Sequence, residues 1–192
     1  MALFIACLAS LIALAGSIGY IINIIKGEVS PTKSSWLIFT TATTINISSF
    51  FAAKLDLVSG LYITADFLNC LLVVSTLLIF SRSRIVFKTF EKYYLLGVIA
   101  CILFWLLTSS PFGTNLLVQT LIGIGYIPTI HNILLEKKSY ESRLCWFIWT
   151  IGSLVSLYPP VANKNTLAII YSVRSSIMCF ALFLLTWRFG KK

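Results

Sequence analysis

The chain has 192 residues, of which 58% are hydrophobic and 11% charged, with a formal net charge of +9 and a mean hydropathy of +0.94. These proportions exclude an ordinary soluble domain, because so few polar residues cannot cover the apolar surface of a fold of this size. The basic residues form short clusters between apolar runs, which indicates membrane topology and makes a nucleic-acid partner unexpected.

Seven apolar runs approach the roughly 20 residues that a membrane-spanning helix needs. The first run lacks a basic leader and a cleavage site before Lys26, so we expect it to remain as the first helix. The predicted spans, in chain order, are 2–25, 35–53, 58–80, 93–110, 114–135, 144–162 and 166–187. The sequence therefore predicts an all-α, multi-pass protein of the cell (inner) membrane, with the lipid bilayer as its surroundings.

The positions of Lys and Arg predict the orientation of the spans. With the N-terminus outside, twelve basic residues fall on the cytoplasmic side and only Lys54 and Lys164 fall in outer loops, while Arg174 lies within the last span. An odd number of spans then places the basic C-terminus in the cytoplasm.

Two stretches of the chain resemble one another, which predicts an internal repeat. Residues 17–25 read SIGYIINII and residues 123–131 read GIGYIPTIH, with five of nine positions identical. A basic loop and a helix that begins with Trp follow each stretch, WLIFT at Trp36 and WFIWT at Trp146. Spans one to three would therefore recur as spans five to seven.

The repeat divides the chain into three parts. Residues 1–80 hold the first three-helix repeat, 81–113 hold a cytoplasmic loop and a linker helix, and 114–192 hold the second repeat and a basic tail. Because three is odd, the linker helix restores the orientation of the second triplet, and the two repeats run parallel. Substrate sites in such proteins lie between the repeats, near the midplane.

The three-one-three plan and the stretch IGYIPTI at 124–130 resemble the PQ-loop transporters, which include SWEET sugar facilitators, cystinosin-type carriers and KDEL receptors. Pro128 and Thr129 stand where the name-giving motif has Pro-Gln, and the first repeat has Ile22 and Asn23 at these places. The resemblance implies a transporter of a small polar solute: a sugar, an amino acid or a vitamin-like compound. The alternative it leaves open is a non-transporting membrane receptor or scaffold. Nicotinamide riboside carriers share the same plan.

Pro128 lies inside the fifth predicted span. Proline removes one helical hydrogen bond and clashes with the preceding turn, so a kink is expected there. Gly125 next to it permits close helix approach. The kink is either a hinge between two states or a static packing feature.

Asp66 and Arg174 are charged residues within predicted spans, where such groups usually face a partner or a water-filled cavity. Each lies about 12 Å into its span at ~1.5 Å per residue. Three interpretations stay open: the two residues line a solute path, they form an ion pair that joins the two halves, or they do not meet.

Other polar residues gather at similar depth and complete the predicted pathway. Asn69 follows Asp66 by three positions and so shares its helix face; it resembles the asparagine on the third helix of SWEET repeats that contacts sugar. The remaining candidates are Asn46, Tyr126, Thr129, Tyr171 and Ser153.

Enzyme signatures are absent from the sequence. We find no HExxH, GxSxG, P-loop or dinucleotide-binding pattern, and the five cysteines show no metal-binding spacing. We therefore expect no catalysis, cofactor or metal ion. The substrate, the coupling ion and any homo-oligomer are left open.

Overall fold

The computed structural model describes residues 1–53, 56–81, 84–87 and 89–190. Within these ranges the chain forms nine helices and no strand. They are α1 (Ala2–Ile25), α2 (Lys33–Ala52), α3 (Leu57–Phe80), α4 (Thr89–Thr108), α5 (Pro111–Gly125), α6 (Ile127–Glu136), α7 (Arg143–Val155), α8 (Tyr158–Ala162) and α9 (Thr166–Phe189). Five basic residues of the charge pattern lie outside the described ranges: Lys54, Arg82, Lys88, Lys191 and Lys192.

Short polar side chains start four of these helices by accepting hydrogen bonds from otherwise unpaired backbone N–H groups. Asp56 accepts from Val58 and Ser59 at the start of α3. The same role is taken by Ser110 for α5, Ser142 for α7 and Asn165 for α9. The breaks between helices therefore follow from local sequence.

Six helical segments of the described chain are long and apolar enough to cross a membrane. They are Ala2–Ile25, Leu57–Phe80, Thr89–Thr108, Pro111–Glu136, Arg143–Ala162 and Thr166–Phe189. Large apolar side chains such as Ile79 and Leu107 are exposed on the outside of the bundle, which suits a lipid surrounding. The fold is compatible with a multi-pass membrane protein. The helix α2 has 20 residues but is too polar to meet the same criterion.

The bundle has two ends that differ in charge. At the end where α1 and α9 finish, called the basic end below, lie Lys26, Lys33, Arg84, Lys92, Lys137, Lys138, Arg143 and Arg188. Contacts across this end include Lys33 Nζ donating to the Ser81 carbonyl at 2.7 Å and Ser139 N–H donating to the Phe189 carbonyl at 2.9 Å. The other end, where α1 and α9 begin, is called the opposite end.

The helices pack in a regular order. Helix α3 lies between α1 and α2, and α9 lies between the α5–α6 segment and α7. Across the middle of the bundle, α1 packs on α7 and α2 packs on α5, while α4 packs on α5 and α2.

Small residues bring α1 and α7 close together. A Cβ at Gly152 would meet the backbone of Ala9 and Ala13 at 3.4 Å, and one at Gly16 would meet the Trp149 ring at 2.8 Å. Trp149 Nε1 also donates to the Ala13 carbonyl at 3.1 Å. Close backbone approach of this type drives helix association where lipid replaces water.

Candidate functional site

Three adjoining cavities run from the basic end into the middle of the bundle. The vestibule, about 300 Å³, is lined by the starts of α2 and α4, by α6 and by the turn before α7. The passage, about 80 Å³, shares Ser35, Thr129 and Glu141 with the vestibule. The Asp66 cavity, about 30 Å³, shares Tyr126 and Trp146 with the passage. The shared residues place the three cavities next to one another.

The Asp66 cavity is polar on the side that α3 provides. Asp66 accepts a hydrogen bond from Tyr171 Oη of α9 at 2.6 Å, so these two predicted residues meet. Asn69 lies one turn further along α3 and also lines the cavity. Its side chain is 7% exposed, and its Oδ1 atom is buried with no hydrogen-bond partner. The cavity therefore presents one carboxylate and one unsatisfied amide oxygen.

Aromatic side chains form the other walls of the Asp66 cavity. The lining includes Trp36, Phe39, Tyr126, Trp146 and Trp149. Neighbouring ring centroids lie 5.4 Å apart for Phe39 and Tyr126, 6.2 Å for Tyr126 and Trp146, and 4.9 Å for Trp146 and Trp149. These contacts fix the rings relative to one another, because each ring packs edge-on against the next.

Arg174 takes a different position from Asp66. Its guanidinium lies over the Tyr171 ring, 4.9 Å from the centroid, and it lines none of the three cavities. Among the described residues no carboxylate oxygen lies within 4.0 Å of it, and its Nε and Nη2 atoms are buried with no hydrogen-bond partner. Tyr171 thus contacts both charged residues, through its hydroxyl and through its ring face.

Glutamates that the sequence analysis did not single out also line this route. Glu141 accepts hydrogen bonds from Tyr20 Oη at 2.9 Å and from Trp146 Nε1 at 3.2 Å. Burial raises the pKa of Glu141, and the two donated hydrogen bonds oppose that effect only in part. Glu91 lines the vestibule and accepts from Ser34 Oγ at 2.8 Å. It was missed because α4 begins at Thr89 and not at residue 93.

An amide cluster, defined as Asn46, Ser49, Asn115 and Gln119, joins α2 and α5 near the opposite end. Asn115 Nδ2 donates to the Asn46 carbonyl at 2.9 Å, to Asn46 Oδ1 at 3.1 Å and to Ser49 Oγ at 3.1 Å. Gln119 Nε2 donates to Asn115 Oδ1 at 2.6 Å and to the Leu167 carbonyl of α9 at 3.2 Å. All four side chains are buried, so Asn46 holds helices together here and lies outside the three cavities.

The loops of the opposite end are tied together as well. Asn163 Nδ2 donates to Asp56 Oδ2 at 2.8 Å, which links the end of α8 to the start of α3. Burial alone would raise the pKa of Asp56, but hydrogen bonds from Ser59, Asn163 and the Val58 backbone outweigh burial and lower it. The carboxylate form of Asp56 therefore stabilises this contact between the two loops.

Ser153 is fully buried on α7 and donates to the Thr150 carbonyl of its own helix at 2.9 Å. It lines none of the three cavities. Of the predicted pathway residues, the structure brings Asp66, Asn69, Tyr126 and Thr129 to the cavities. A serine within a span is a weak indication of a solute path, because serine in a helix commonly bonds to its own backbone.

The predicted kink is a break in the helix. α5 ends at Gly125, α6 begins at Ile127, and Pro128 occupies the first turn of α6 beside the vestibule. A Cβ at Gly125 would lie 2.8 Å from Tyr94 Oη. A side chain at position 125 would therefore displace the Tyr94 ring of α4.

No protein-family model matches the chain, and no curated protein matches it significantly.

Proposed function

We propose that the protein is a membrane transporter of a small polar solute, with seven spans and the Asp66 cavity as its solute site. The observation that carries this proposal is the row of adjoining cavities from the basic end to Asp66, combined with the buried hydrogen bonds of the amide cluster near the opposite end. A route that is open at one end and closed at the other is what alternating access requires of one conformer. A scaffold protein needs no such route.

The seventh span in this proposal is α2. It is too polar to stand alone in lipid, but its polar residues face neighbours: Thr43, Asn46 and Ser49 are buried. Helix α2 also reaches toward both ends of the bundle. It bonds to Ser81, just after α3, near the basic end and to Asn115, in the first turns of α5, near the opposite end. Burial against partners removes the penalty for polar groups in the membrane.

The packing order supports two parallel repeats of three helices joined by α4. In each predicted triplet the third helix, α3 or α9, contacts the other two. Across the bundle, α1 of the first triplet contacts α7 of the second, and α5 of the second contacts α2 of the first. These two contacts exchange under a two-fold axis along the membrane normal, as the PQ-loop resemblance implies.

The orientation follows from the charge pattern. With the basic end in the cytoplasm, the N-terminus lies outside and the vestibule opens inward. The described conformer is then inward-facing, with the amide cluster and the contact between Asp56 and Asn163 closing the outer side. The break at Tyr126, between α5 and α6, is the place where the route is able to widen or narrow.

Uptake into proteoliposomes tests the proposal. The purified chain, reconstituted in lipid vesicles, should take up at least one labelled member of a panel of sugars, amino acids, amines and vitamins. Asp66→Asn preserves side-chain size and an acceptor for Tyr171 but removes the charge, so uptake should fall at least tenfold. The exposed Glu28→Gln is the matched control and should transport as the unchanged protein does. Absence of uptake by correctly folded protein across the panel would contradict transport and favour a receptor or scaffold.

A further inference from the structure

We infer that the solute is an organic cation with a compact head, a primary ammonium or a guanidinium, held by Asp66 and Asn69 within aromatic walls. This inference rests on the proposed function, because it takes the bound molecule to be a transported solute. Binding of the cation is measured without transport. Four features carry it: the charge of the route, the unsatisfied acceptors, the aromatic lining and the size of the cavity.

The charge of the route opposes the charge of the protein. Four of the six acidic residues of the chain line the three cavities: Asp66, Glu91, Glu136 and Glu141. Of its fifteen Lys and Arg residues, Lys138 is the one that lines them among the described residues. A cleft of one sign concentrates ions of the other sign and repels like ions. The route therefore selects against anions, although the net charge of the chain is +9.

The polar groups of the Asp66 cavity are acceptors that require a donor. Asp66 accepts a hydrogen bond from Tyr171 and also interacts with the Asn69 side chain, and a carboxylate has capacity for further donors. Asn69 Oδ1 is buried without any donor. A buried acceptor left unsatisfied carries a desolvation penalty, which an N–H-rich head group removes by bonding to both residues. Ammonium and guanidinium groups are donors only, and so they match this pair.

The aromatic lining favours a positive charge over a neutral head group. Trp36, Trp146 and Trp149 line the cavity together with Phe39 and Tyr126. The negative face of an aromatic ring attracts a cation, and tryptophan does so most strongly. The carboxylate attracts a cation through its full negative charge, and the surrounding rings add to this attraction through their quadrupoles.

The size of the cavity limits what enters it. The Asp66 cavity, about 30 Å³, is the smallest of the three, so the head group of a solute reaches Asp66 while the rest of the solute stays outside this cavity. The passage adds about 80 Å³ lined by Tyr20, Thr129 and Glu141, which accommodates the remainder of the solute. A solute with a small charged head and a short tail satisfies both spaces.

The position of Arg174 favours a cation over a zwitterion as the solute. A zwitterion would need a cationic side chain in the cavity for its carboxylate, but Arg174 lies over the Tyr171 ring and lines no cavity. Its charge is close enough to Asp66 to weaken the attraction for a second cation. Removing the charge with Arg174→Met should therefore strengthen binding of a cation, whereas it would weaken binding of a zwitterion.

Binding to the purified chain in detergent tests the inference without transport. Quenching of tryptophan fluorescence, reported by the three cavity tryptophans, is titrated with butylguanidine, with its neutral isostere butylurea and with 4-guanidinobutyrate. Butylguanidine should bind at least tenfold more tightly than either comparison compound. Asp66→Asn should weaken the binding of butylguanidine at least tenfold, Arg174→Met should strengthen this binding, and Glu28→Gln should leave it unchanged. Size-exclusion profiles establish that each variant is folded.

If Asp66→Asn fails to fold, the variant Asn69→Asp still tests the inference. Asn69→Asp adds a carboxylate at the unsatisfied oxygen and should tighten butylguanidine without affecting butylurea. Equal affinities for the three compounds, or an Arg174→Met variant that binds butylguanidine more weakly, would overturn the inference. Cation binding without uptake in vesicles would contradict the proposed transport alone. Uptake of a neutral solute without cation binding would contradict the inference alone.

Discussion

Glu141 is a carboxyl group at the entrance of the passage, partly buried beneath Tyr20 and Trp146, which donate hydrogen bonds to it. Burial raises its pKa above the ordinary value of 4.5, so the native chain binds a proton more readily there than the unfolded chain does. Stability from this group is therefore fully present below the ordinary pKa and declines as pH rises through the raised native pKa. Above both values the penalty for the buried charge is complete.

The Glu141→Gln variant should remove this pH dependence, since an amide stays neutral and still accepts hydrogen bonds. Thermal unfolding in detergent should show the unchanged protein losing stability relative to Glu141→Gln as pH rises from about 4.5 toward neutrality. The exposed Glu28→Gln serves as the control and should follow the unchanged protein. Parallel stability curves for Glu141→Gln and the unchanged protein would show that burial does not set this pKa.

At the residue scale, the sequence singled out Asp66 and Asn69 of the Asp66 cavity but not its tryptophans. A charge within an apolar run, as at Asp66, needs a partner or water, and Asn69 shares its helix face. Trp36 and Trp146 looked like ordinary interfacial aromatics, because sequence position does not show which way a ring points. Glu141 stood among basic residues of a loop, where an acidic side chain is usually solvated.

At the scale of elements, the contact between Gly125 and α4 gives a sharp test of the helix break. A Cβ at this position would meet Tyr94 Oη at 2.8 Å, so Gly125→Ala should destabilise the protein by about 1–3 kcal/mol through overpacking. Tyr94 Oη has no hydrogen-bond partner, so Tyr94→Phe should have little effect alone. In the Tyr94→Phe background the penalty of Gly125→Ala should shrink.

A matched control lies two residues away on the same helix. A Cβ at Gly123 would meet Arg174 at 3.7 Å, which is ordinary contact, so Gly123→Ala should be tolerated. Melting temperatures of the four Gly125 and Tyr94 combinations in detergent measure the coupling. Equal effects of Gly125→Ala in both backgrounds would show that Tyr94 is not the neighbour that makes this glycine necessary.

The helix limits were largely predictable, because long apolar runs with polar ends leave few choices. One difference is at α4, which begins at Thr89 and so brings Glu91 into a helix against α2. Two details required tertiary structure. The polar α2 is buried by neighbours that sequence alone cannot place, and α7 ends at Val155 before the short α8.

At the scale of the whole molecule, the proposed seven crossings put the two termini on opposite sides of the membrane. A fluorescent protein fused after Gly190 should fold in the cytoplasm, and alkaline phosphatase fused after Ser109 or Lys164 should be active outside. Alkaline phosphatase fused after Gly27 or Ser81 should be inactive. The fusions after Gly27 and Lys164 lie at different ends of the bundle and together test its orientation. Phosphatase activity after Gly27 would show that the orientation is the reverse of the proposed one.

The order of packing was partly foreseeable from the repeat. Matching stretches at Tyr20 and Tyr126 predict two triplets that face each other, and this repeat stays a prediction; the structure itself gives contacts of α1 with α7 and of α2 with α5. Which polar residues join the helices near the opposite end was not foreseeable, because both triplets carry buried polar residues. Asn115 bonds to α2 and Gln119 bonds to α9, and neither residue stands out in an apolar helix.

The amide cluster has a kinetic consequence for the proposed cycle. Opening the outer side would separate Asn115 from Asn46 and Ser49, at a net cost of about 1 kcal/mol for each hydrogen bond that water does not replace. A loss of about 2 kcal/mol would leave the outward-facing form populated at only a few per cent. Solute arriving from outside would then bind with an apparent affinity weakened by that fraction, while cytoplasmic solute would not. The half-saturating concentration would differ between the two faces of one membrane, although the same few side chains bind the solute from either direction.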